Sequence, residues 1–441
     1  MTATSSADRI SPKVARIAEL ARQSPDMVFT TLFHHVDMDW MREAYRRTRK
    51  DGAVGVDGQD AAAFAADLEG NLQRLLDAAK SGTYRAPPVR RVHIPKGDGS
   101  QMRPIGIPTF GDKVLQRAVA MLLEAVYEQD FLSCSFGFRP GRSAHGALDA
   151  VRAGLLSMGG AWVLEVDLRK FFDTLEHHHV RDMLSQRVRD GVVTRLIGKW
   201  LNAGVMESGA VTHPDEGTPQ GGVISPLLAN LYLHVALDTW FAREVQPRLR
   251  GRSKLVRYAD DFVIVFEDEH DARKVWEVLP KRMGRFGLTV HPDKTKLVWI
   301  GPSRPPTGGD EEPPPRTFDL LGFTVFWGRD VGGYPTVRTQ TCAKSLTRAL
   351  DGIRAYCRRH LHAPLAEQHQ MLSQKVRGHY GYFGRPGNIV ALQRFVWEVI
   401  SIWKGWLSRR SSAGALSWEG MRAIEKRFAL PTPRIMRRKV T

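Results

Sequence analysis

Two apolar runs bracket a pair of adjacent carboxylates: Leu255-Val256 stands before Tyr258-Ala259-Asp260-Asp261, and Phe262-Val263-Ile264-Val265-Phe266 follows it. That pattern predicts strand, tight turn, strand, with both acids at the hairpin tip. Like charges held that close repel each other unless a cation lies between them. The natural cation is Mg²⁺, a hard ion that takes carboxylate oxygens in octahedral geometry and keeps room for substrate phosphates. An ordinary Asp-rich turn has the same local sequence, so the reading depends on what else the chain carries.

Upstream, Ala161-Trp162-Val163-Leu164-Glu165-Val166-Asp167 predicts a mostly apolar strand that ends in a carboxylate, with Leu168-Arg169-Lys170-Phe171-Phe172-Asp173 after it. The tetrapeptide at 258–261 resembles the YxDD signature of reverse transcriptases, and the 161–173 segment resembles the first catalytic segment of polymerase palms. The resemblance implies that Asp167 and Asp260 are direct ligands of two Mg²⁺ ions, with Mn²⁺ as a possible substitute. Asp261 is implied as a further ligand or as a charge just behind the ligands. Two ions about 4 Å apart activate a primer 3′-hydroxyl and clamp the leaving pyrophosphate. Taken alone, Asp167 reads equally as a strand-end cap of the next helix.

Phe172 stands where reverse transcriptases place a bulky ring under the sugar of the incoming nucleotide, which implies selection of deoxynucleotides. One of Phe171 and Phe172 is expected in the core. Between the carboxylate segments, Glu216-Gly217-Thr218-Pro219-Gln220-Gly221-Gly222-Val223-Ile224-Ser225-Pro226 precedes Leu227-Leu228-Ala229-Asn230. Ser225 before Pro226 predicts a helix start, a hydroxyl cap followed by proline at the first helical position. The string resembles the PQG segment of reverse transcriptases, where Gln220 would lie along the nascent base pair. Ahead of it, His93 to Pro104 predicts a hairpin with a Gly97-Asp98-Gly99 tip. Lys96 and Arg103 flank that tip and can hold a nucleotide triphosphate, Arg bidentately and Lys as a point charge. A solvated basic hairpin is the plainer alternative. Leu288 to Lys296 resembles the next palm segment, in which Lys294 is a proton donor to pyrophosphate or a phosphate contact. Phe318-Asp319-Leu320-Leu321-Gly322-Phe323 resembles the primer-grip hairpin.

Two further strings, Gly52-Ala53-Val54-Gly55-Val56-Asp57-Gly58 and Phe136-Gly137-Phe138-Arg139-Pro140-Gly141-Arg142-Ser143, resemble the N-terminal extension and fingers of group II intron reverse transcriptases, also called maturases. The likeness covers roughly residues 30 to 435. It implies an α+β right-hand polymerase, fingers and palm with an antiparallel sheet, followed by an α-helical thumb or maturase domain. The implied division is 1–160 for N-terminal extension and fingers, 161–340 for the palm with the 301–316 loop and primer grip, and 341–441 for the helical domain. The implied activity is RNA-directed DNA polymerisation that copies intron RNA, together with assistance of splicing and mobility. A reverse transcriptase domesticated for phage defence or DNA repair, or a splicing maturase alone, would carry the same residues. The implied partners are group II intron RNA, an RNA template with a DNA primer, dNTPs and target DNA; the oligomeric state stays open.

Charge fits a nucleic-acid binder. The 441 residues carry a net +17. Residues 341–441 hold 19 Lys+Arg against 5 Asp+Glu, which is +14 and leaves only +3 for the rest. Within 341–441, helices are expected at Lys344–His360, Leu365–Phe383, Asn388–Arg410 and Ser417–Phe428. Arg354, Arg358, Arg359, Arg377, Arg394, Lys404 and Arg409 are the candidate RNA contacts there. Trp397, Trp403 and Trp406 read as bundle core rather than stacking platforms. The proline-rich stretch 301–316 predicts an exposed loop. Cys134, Cys342 and Cys357 have no paired spacing, which argues for a reducing compartment and against zinc. No Cys-bearing endonuclease module follows Pro433, so the endonuclease-lacking branch is expected. His177-His178-His179 reads as solvated helix rather than metal site. The N-terminal Arg9, Lys13, Arg16 and Arg22 read as a surface helix, with no membrane partner, and the expected setting is a bacterial cytoplasmic ribonucleoprotein.

Overall fold

The computed structural model describes residues 6–96, 101–207, 210–212, 221–303, 316–330, 332–410 and 415–436. The Gly97-Asp98-Gly99 tip, the Lys96 side chain, Gln220 with the string 216–219, and most of the 301–316 loop lie outside the described residues. The chain divides into two compact units, one dominated by residues 1–297 and one by 298–441.

In chain order the first unit runs α1 (Ser6–Gln23), α2 (Met38–Arg47), α3 (Ala61–Ala65), α4 (Leu68–Ser81), β1 (Val89–Lys96), β2 (Gln101–Ile107), α5 (Phe110–Tyr127), α6 (Ala144–Ser157), β3 (Ala161–Val166), α7 (His177–Ser185), α8 (Gly191–Leu201), β4 (Val205–Glu207), β5 (Ala210–Thr212), α9 (Ser225–Leu233), β6 (Ser253–Tyr258), β7 (Asp261–Phe266) and α10 (Glu269–Gly284). Helix α5 is apolar nearly all round, with Val114, Leu115, Ala118, Val119, Leu122 and Val126 wholly buried, so it serves as a central helix against which α1 and α2 pack. The N-terminal segment is tied down by polar contacts as well as by Ile10, Ile17 and Ala21 in the core. Arg187 pairs with Asp130 at 2.8 Å and donates to the carbonyls of Ala21, Ser24 and Met27. Asp190 caps α8 and also accepts from the N–H groups of Leu32 and Phe33.

Strand β7 lies between β6 and β3, antiparallel to both. Its residues Phe262 to Phe266 are at most 1 % exposed, and at about 2 kcal/mol each their burial contributes about 10 kcal/mol of gross transfer free energy. A second sheet, in the order β2-β1-β4-β5, pairs Val89 with Val205 in parallel.

The second unit opens in β8 (Lys296–Ile300), a strand the unit boundary divides, and continues through an antiparallel meander of β9 (Thr317–Leu320), β10 (Phe323–Arg329) and β11 (Pro335–Thr341). The turn between β9 and β10 places Leu321 at φ 51° and Gly322 at φ 81°. Helices α11 (Ala343–Arg359), α12 (Leu365–Phe383), α13 (Ile389–Leu407) and α14 (Trp418–Arg427) follow, within a few residues of the ranges expected from sequence. Trp403 fills their core, wholly buried, with its indole N–H on Gln368 Oε1 at 2.8 Å. Trp406 packs partly against the same core. Trp397 departs from expectation: it is 57 % exposed, because its place on α13 faces away from the line of Leu392, Phe395, Val399 and Trp403. Among the described residues no helix is long and apolar enough to cross a membrane.

Candidate active site

The β6–β7 hairpin closes through a two-residue turn, with Tyr258 paired to Asp261 and Ala259 at φ 56°. A non-glycine residue there is strained, and buried polar contacts hold it. The Arg257 guanidinium is wholly buried, as is Asp238, with which it pairs at 2.6 Å. Arg257 also donates to the Ala259 carbonyl at 3.1 Å, to Asn230 Oδ1 at 2.9 Å and to Ser135 Oγ at 2.9 Å. Asn230 in turn donates to the Gly137 carbonyl at 2.7 Å. Gly137 lies so close under the turn that a Cβ on it would stand 2.4 Å from Ala259 N, so only glycine fits. Removing one partner of such a pair strands a buried charge, at a cost of about 3–5 kcal/mol.

Strand register brings the acids together. Val166 pairs with Phe262 across β3 and β7, so the next step sets Asp167 opposite Asp261. Residues two apart on a strand share a face, and Glu165 therefore lies on the same face as Asp167. The Asp261 carboxyl is pushed up to about 6, first by the protein around it and then by the like charges of Asp260, Asp167 and Glu165, while Arg103 pulls the other way. The Asp261 residue still reaches solvent, and the like-charge part of the shift is the part a cation relieves. Two lysines answer the acids in the same two-residue rhythm: Lys294 Nζ lies 3.2 Å from Asp167, and Lys296 Nζ lies 3.2 Å from Glu165. The backbone around Asp167 is fixed by the His291 N–H on its carbonyl at 2.8 Å and by a bridge from Leu168 to Val290. The donors are all carboxylate oxygens, in excess negative charge, which suits a hard divalent cation.

Asp167, Asp260, Asp261, Arg103 and Lys294 thus gather at one end of the β6–β7–β3 sheet. Phe172 is half-buried, its ring 5.2 Å from that of Phe171, which is the core member of the pair. The sequence reading passed over two groups that belong here. Glu165 sits inside an apolar run, yet its two-residue spacing from Asp167 was a usable signal. Gln116 has no local signal at all: its Oε1 accepts from the N–H groups of Val223 at 2.8 Å and Ile224 at 3.3 Å, directly after Gly221-Gly222. Its Nε2 is held by buried Asp112 at 2.9 Å, which also takes Trp200 Nε1 at 2.8 Å and the Tyr84 hydroxyl. Burial lifts the Asp112 carboxyl to about 6 against the pull of those three donors. With Gln116 bracing Val223 and Ile224, α9 begins at Ser225, its cap position falls on Ile224, and Ser225 is a helical residue rather than the cap.

In the second unit Arg354, Arg358, Arg359, Arg377, Arg394 and Arg409 are exposed and Lys404 is half-buried. Arg354 pairs with Asp351 at 2.7 Å, Lys404 lies 5.0 Å from the Trp418 ring, and Arg409 lies 4.5 Å from the Trp406 ring. The histidine run is not uniformly solvated. His177 is buried, and His178 and His179 approach one Glu176 oxygen at 3.4 and 3.6 Å, a trio whose ligand atoms lie within 4.8 Å of one another.

Residues 94–325 match the family described as reverse transcriptase (RNA-dependent DNA polymerase). The chain is 35 % identical over 334 residues to Protein YkfC of Escherichia coli (strain K12), covering 66 % of this chain and 85 % of that protein. It is 34 % identical over 282 residues to the group II intron-encoded protein LtrA of Lactococcus lactis subsp. cremoris, covering 60 % of this chain and 46 % of LtrA, less than half of that relative's length. Nuclear intron maturase 2, mitochondrial, of Arabidopsis thaliana is 36 % identical over 99 residues, 22 % of this chain and 13 % of the maturase.

Proposed function

The chain belongs to the reverse transcriptase family, in its group II intron-encoded branch, and from that premise we propose that it copies intron RNA into DNA at the carboxylate cluster and assists splicing of the same RNA. It is an RNA-directed DNA polymerase, a family that uses divalent metal ions. The observation that carries the assignment of the site is the register that gathers Asp167, Asp260, Asp261 and Glu165 at one sheet end, where burial and then the like charges raise the Asp261 carboxyl to about 6. Asp167 and Asp260 hold Mg²⁺ directly, and Asp261 completes the set. The chemistry supplied by a bound ion pair is activation of a primer 3′-hydroxyl and neutralisation of charge on the departing pyrophosphate.

The chain's own groups then divide the remaining work. Arg103, within electrostatic reach of Asp261, binds the triphosphate together with Lys96. Lys294, whose Nζ lies 3.2 Å from Asp167, contacts phosphate oxygens or serves as the proton donor to pyrophosphate. Phe172 closes the space a 2′-hydroxyl would need. Gln220 lies along the nascent pair, and the Asp112–Gln116 pair supports that reading by bracing the backbone that follows it. The polymerase body takes the right-hand arrangement, extension and fingers in 1–160 and palm in 161–340, and the helical 341–441 is thumb and maturase domain. There the exposed arginines and Lys404 take RNA phosphates, which the +14 charge supports. RNA template, DNA primer, dNTPs and target DNA are the remaining partners.

Replacing Asp260 with Asn tests the site. The amide keeps the shape of the turn and removes the charge, so extension of oligo(dT) on poly(rA) should fall at least about a hundredfold with an unchanged circular dichroism spectrum. Extension at a rate near wild type would refute the assignment.

A further inference from the structure

Phe138 is an aromatic residue left largely exposed beside the carboxylate hairpin. It is 59 % exposed, its backbone sits in the left-handed region at φ 56°, and its ring centroid lies 6.2 Å from that of Tyr258, one residue before the catalytic turn. Both neighbours are fixed in place. Gly137 is pressed under Ala259 N, with its carbonyl on Asn230. Arg139 is 7 % exposed and binds Glu128 at 2.9 Å and the carbonyls of Leu132 at 2.8 Å and Ser135 at 3.0 Å. Clamped on both sides, the chain cannot turn the ring inward, and the left-handed backbone is imposed on a residue that disfavours it. Strain maintained in this way beside a reactive centre points to a ligand contact.

The identity of that ligand follows from the order of strands. Asp261 is flanked on its β3 side by Asp167 with Lys294, which is the charged side suited to phosphates. On its β6 side it is flanked by Tyr258, and beyond Tyr258 by Phe138. A nucleic-acid strand whose 3′ end reaches Asp260 has the charged flank ahead of it and the aromatic flank behind it. We propose that Phe138, with Tyr258, forms an aromatic platform for the terminal nucleotides of the primer strand, stacking against their sugars and base edges. The proposal rests on the carboxylate site described above.

Because the strain and the contact have opposite consequences, substitution separates them. Phe138→Gly removes both the ring and the backbone penalty. It should raise the melting temperature by about 2 °C while weakening affinity for a primer–template duplex roughly tenfold, read by fluorescence anisotropy in EDTA, where no chemistry occurs. Phe138→Ala should lose affinity to the same extent but melt below Phe138→Gly, since it keeps the unfavourable φ. Phe138→Trp should bind within about twofold of wild type, because a ring is restored. A primer with 2-aminopurine at its 3′ end should be quenched by wild type and less so by Phe138→Gly. Wild-type affinity in Phe138→Gly, or a lower melting temperature, would overturn the proposal, as would unchanged quenching, which would mean that the ring meets the template instead. Normal primer extension by Asp260→Asn would sink the carboxylate assignment and leave these binding results standing.

Discussion

Asp261 titrates in the field of its neighbours, and the sign of the effect follows from the direction of its shift. Its carboxyl is raised from 3.8 to about 6 by surrounding protein and by Asp260, Asp167 and Glu165. A folded-state value above the unfolded one means that the native state binds the proton more tightly. That stabilising contribution is complete below about pH 4 and is lost as pH rises through 6, where the repelling charge appears. Asp261→Asn carries no such charge. In EDTA it should therefore melt a few degrees above wild type at pH 7.5 and show no advantage at pH 4, as differential scanning fluorimetry across pH would reveal. Mg²⁺ should narrow the gap at pH 7.5, because it relieves the same repulsion in wild type. A variant no more stable than wild type at pH 7.5 would mean that the lysines already neutralise the cluster. At this scale the sequence was informative, since adjacent acids between apolar runs announce themselves. Glu165 was harder to see because an apolar strand masks a single acid, until its spacing from Asp167 is read as one face of a sheet.

Elements meet here through groups far apart in the chain, and that is where local sequence signals run out. Arg257 stands inside a buried strand, and nothing near it in sequence says that Asp238, Asn230 and Ser135 will satisfy its donors. The same holds for Gln116 of α5, which reaches Val223 and Ile224 more than a hundred residues later. The helix start at 225 was legible from Pro226, but the cap was misread, because the N–H groups that Ser225 was expected to serve are preceded by backbone already held from α5. Orientation matters in this contact. Asp112 accepts from Gln116 Nε2, and so turns Oε1 toward the backbone donors. Gln116→Leu leaves the buried N–H of Ile224 and the part-buried N–H of Val223 without this acceptor, at a cost of about 1–3 kcal/mol, and loosens the segment that begins at Gly221. KM for dNTP should rise roughly fivefold to tenfold in steady-state extension, with the Kd for primer–template changed less than twofold. An equal loss in both would make Gln116 an ordinary core residue, with no particular bearing on the nucleotide.

On the scale of the whole molecule, charge separates two tasks more cleanly than fold does. Residues 341–441 carry +14 of the total +17, and composition alone sufficed to expect it, as helical spacing sufficed for α11 to α14. Trp397 was the miss. Spacing shows that Trp403 and Trp397 lie on different faces of α13, but only the packed bundle decides which face is covered. RNA affinity should therefore rest mainly on this basic region and fall steeply with salt, since each neutralised phosphate releases counterions. The carboxylates contribute little to it, because they repel a phosphate backbone. Asp260→Asn protein should accordingly bind intron RNA with wild-type affinity and promote its splicing while making no DNA. Replacing Arg354, Arg358 and Arg359 together with Gln should weaken RNA binding and flatten the slope of log K against log salt by about 2–3, as expected for three lost phosphate contacts. The exposed pair of Arg354 with Asp351 is worth too little to unfold α11 when it is lost. Filter binding across a salt series beside a splicing assay tests both halves. If the polymerase-dead protein loses splicing too, or the triple variant keeps its slope, RNA is gripped by the nearly neutral first 340 residues instead, and affinity there must come from shape and stacking rather than from counterion release.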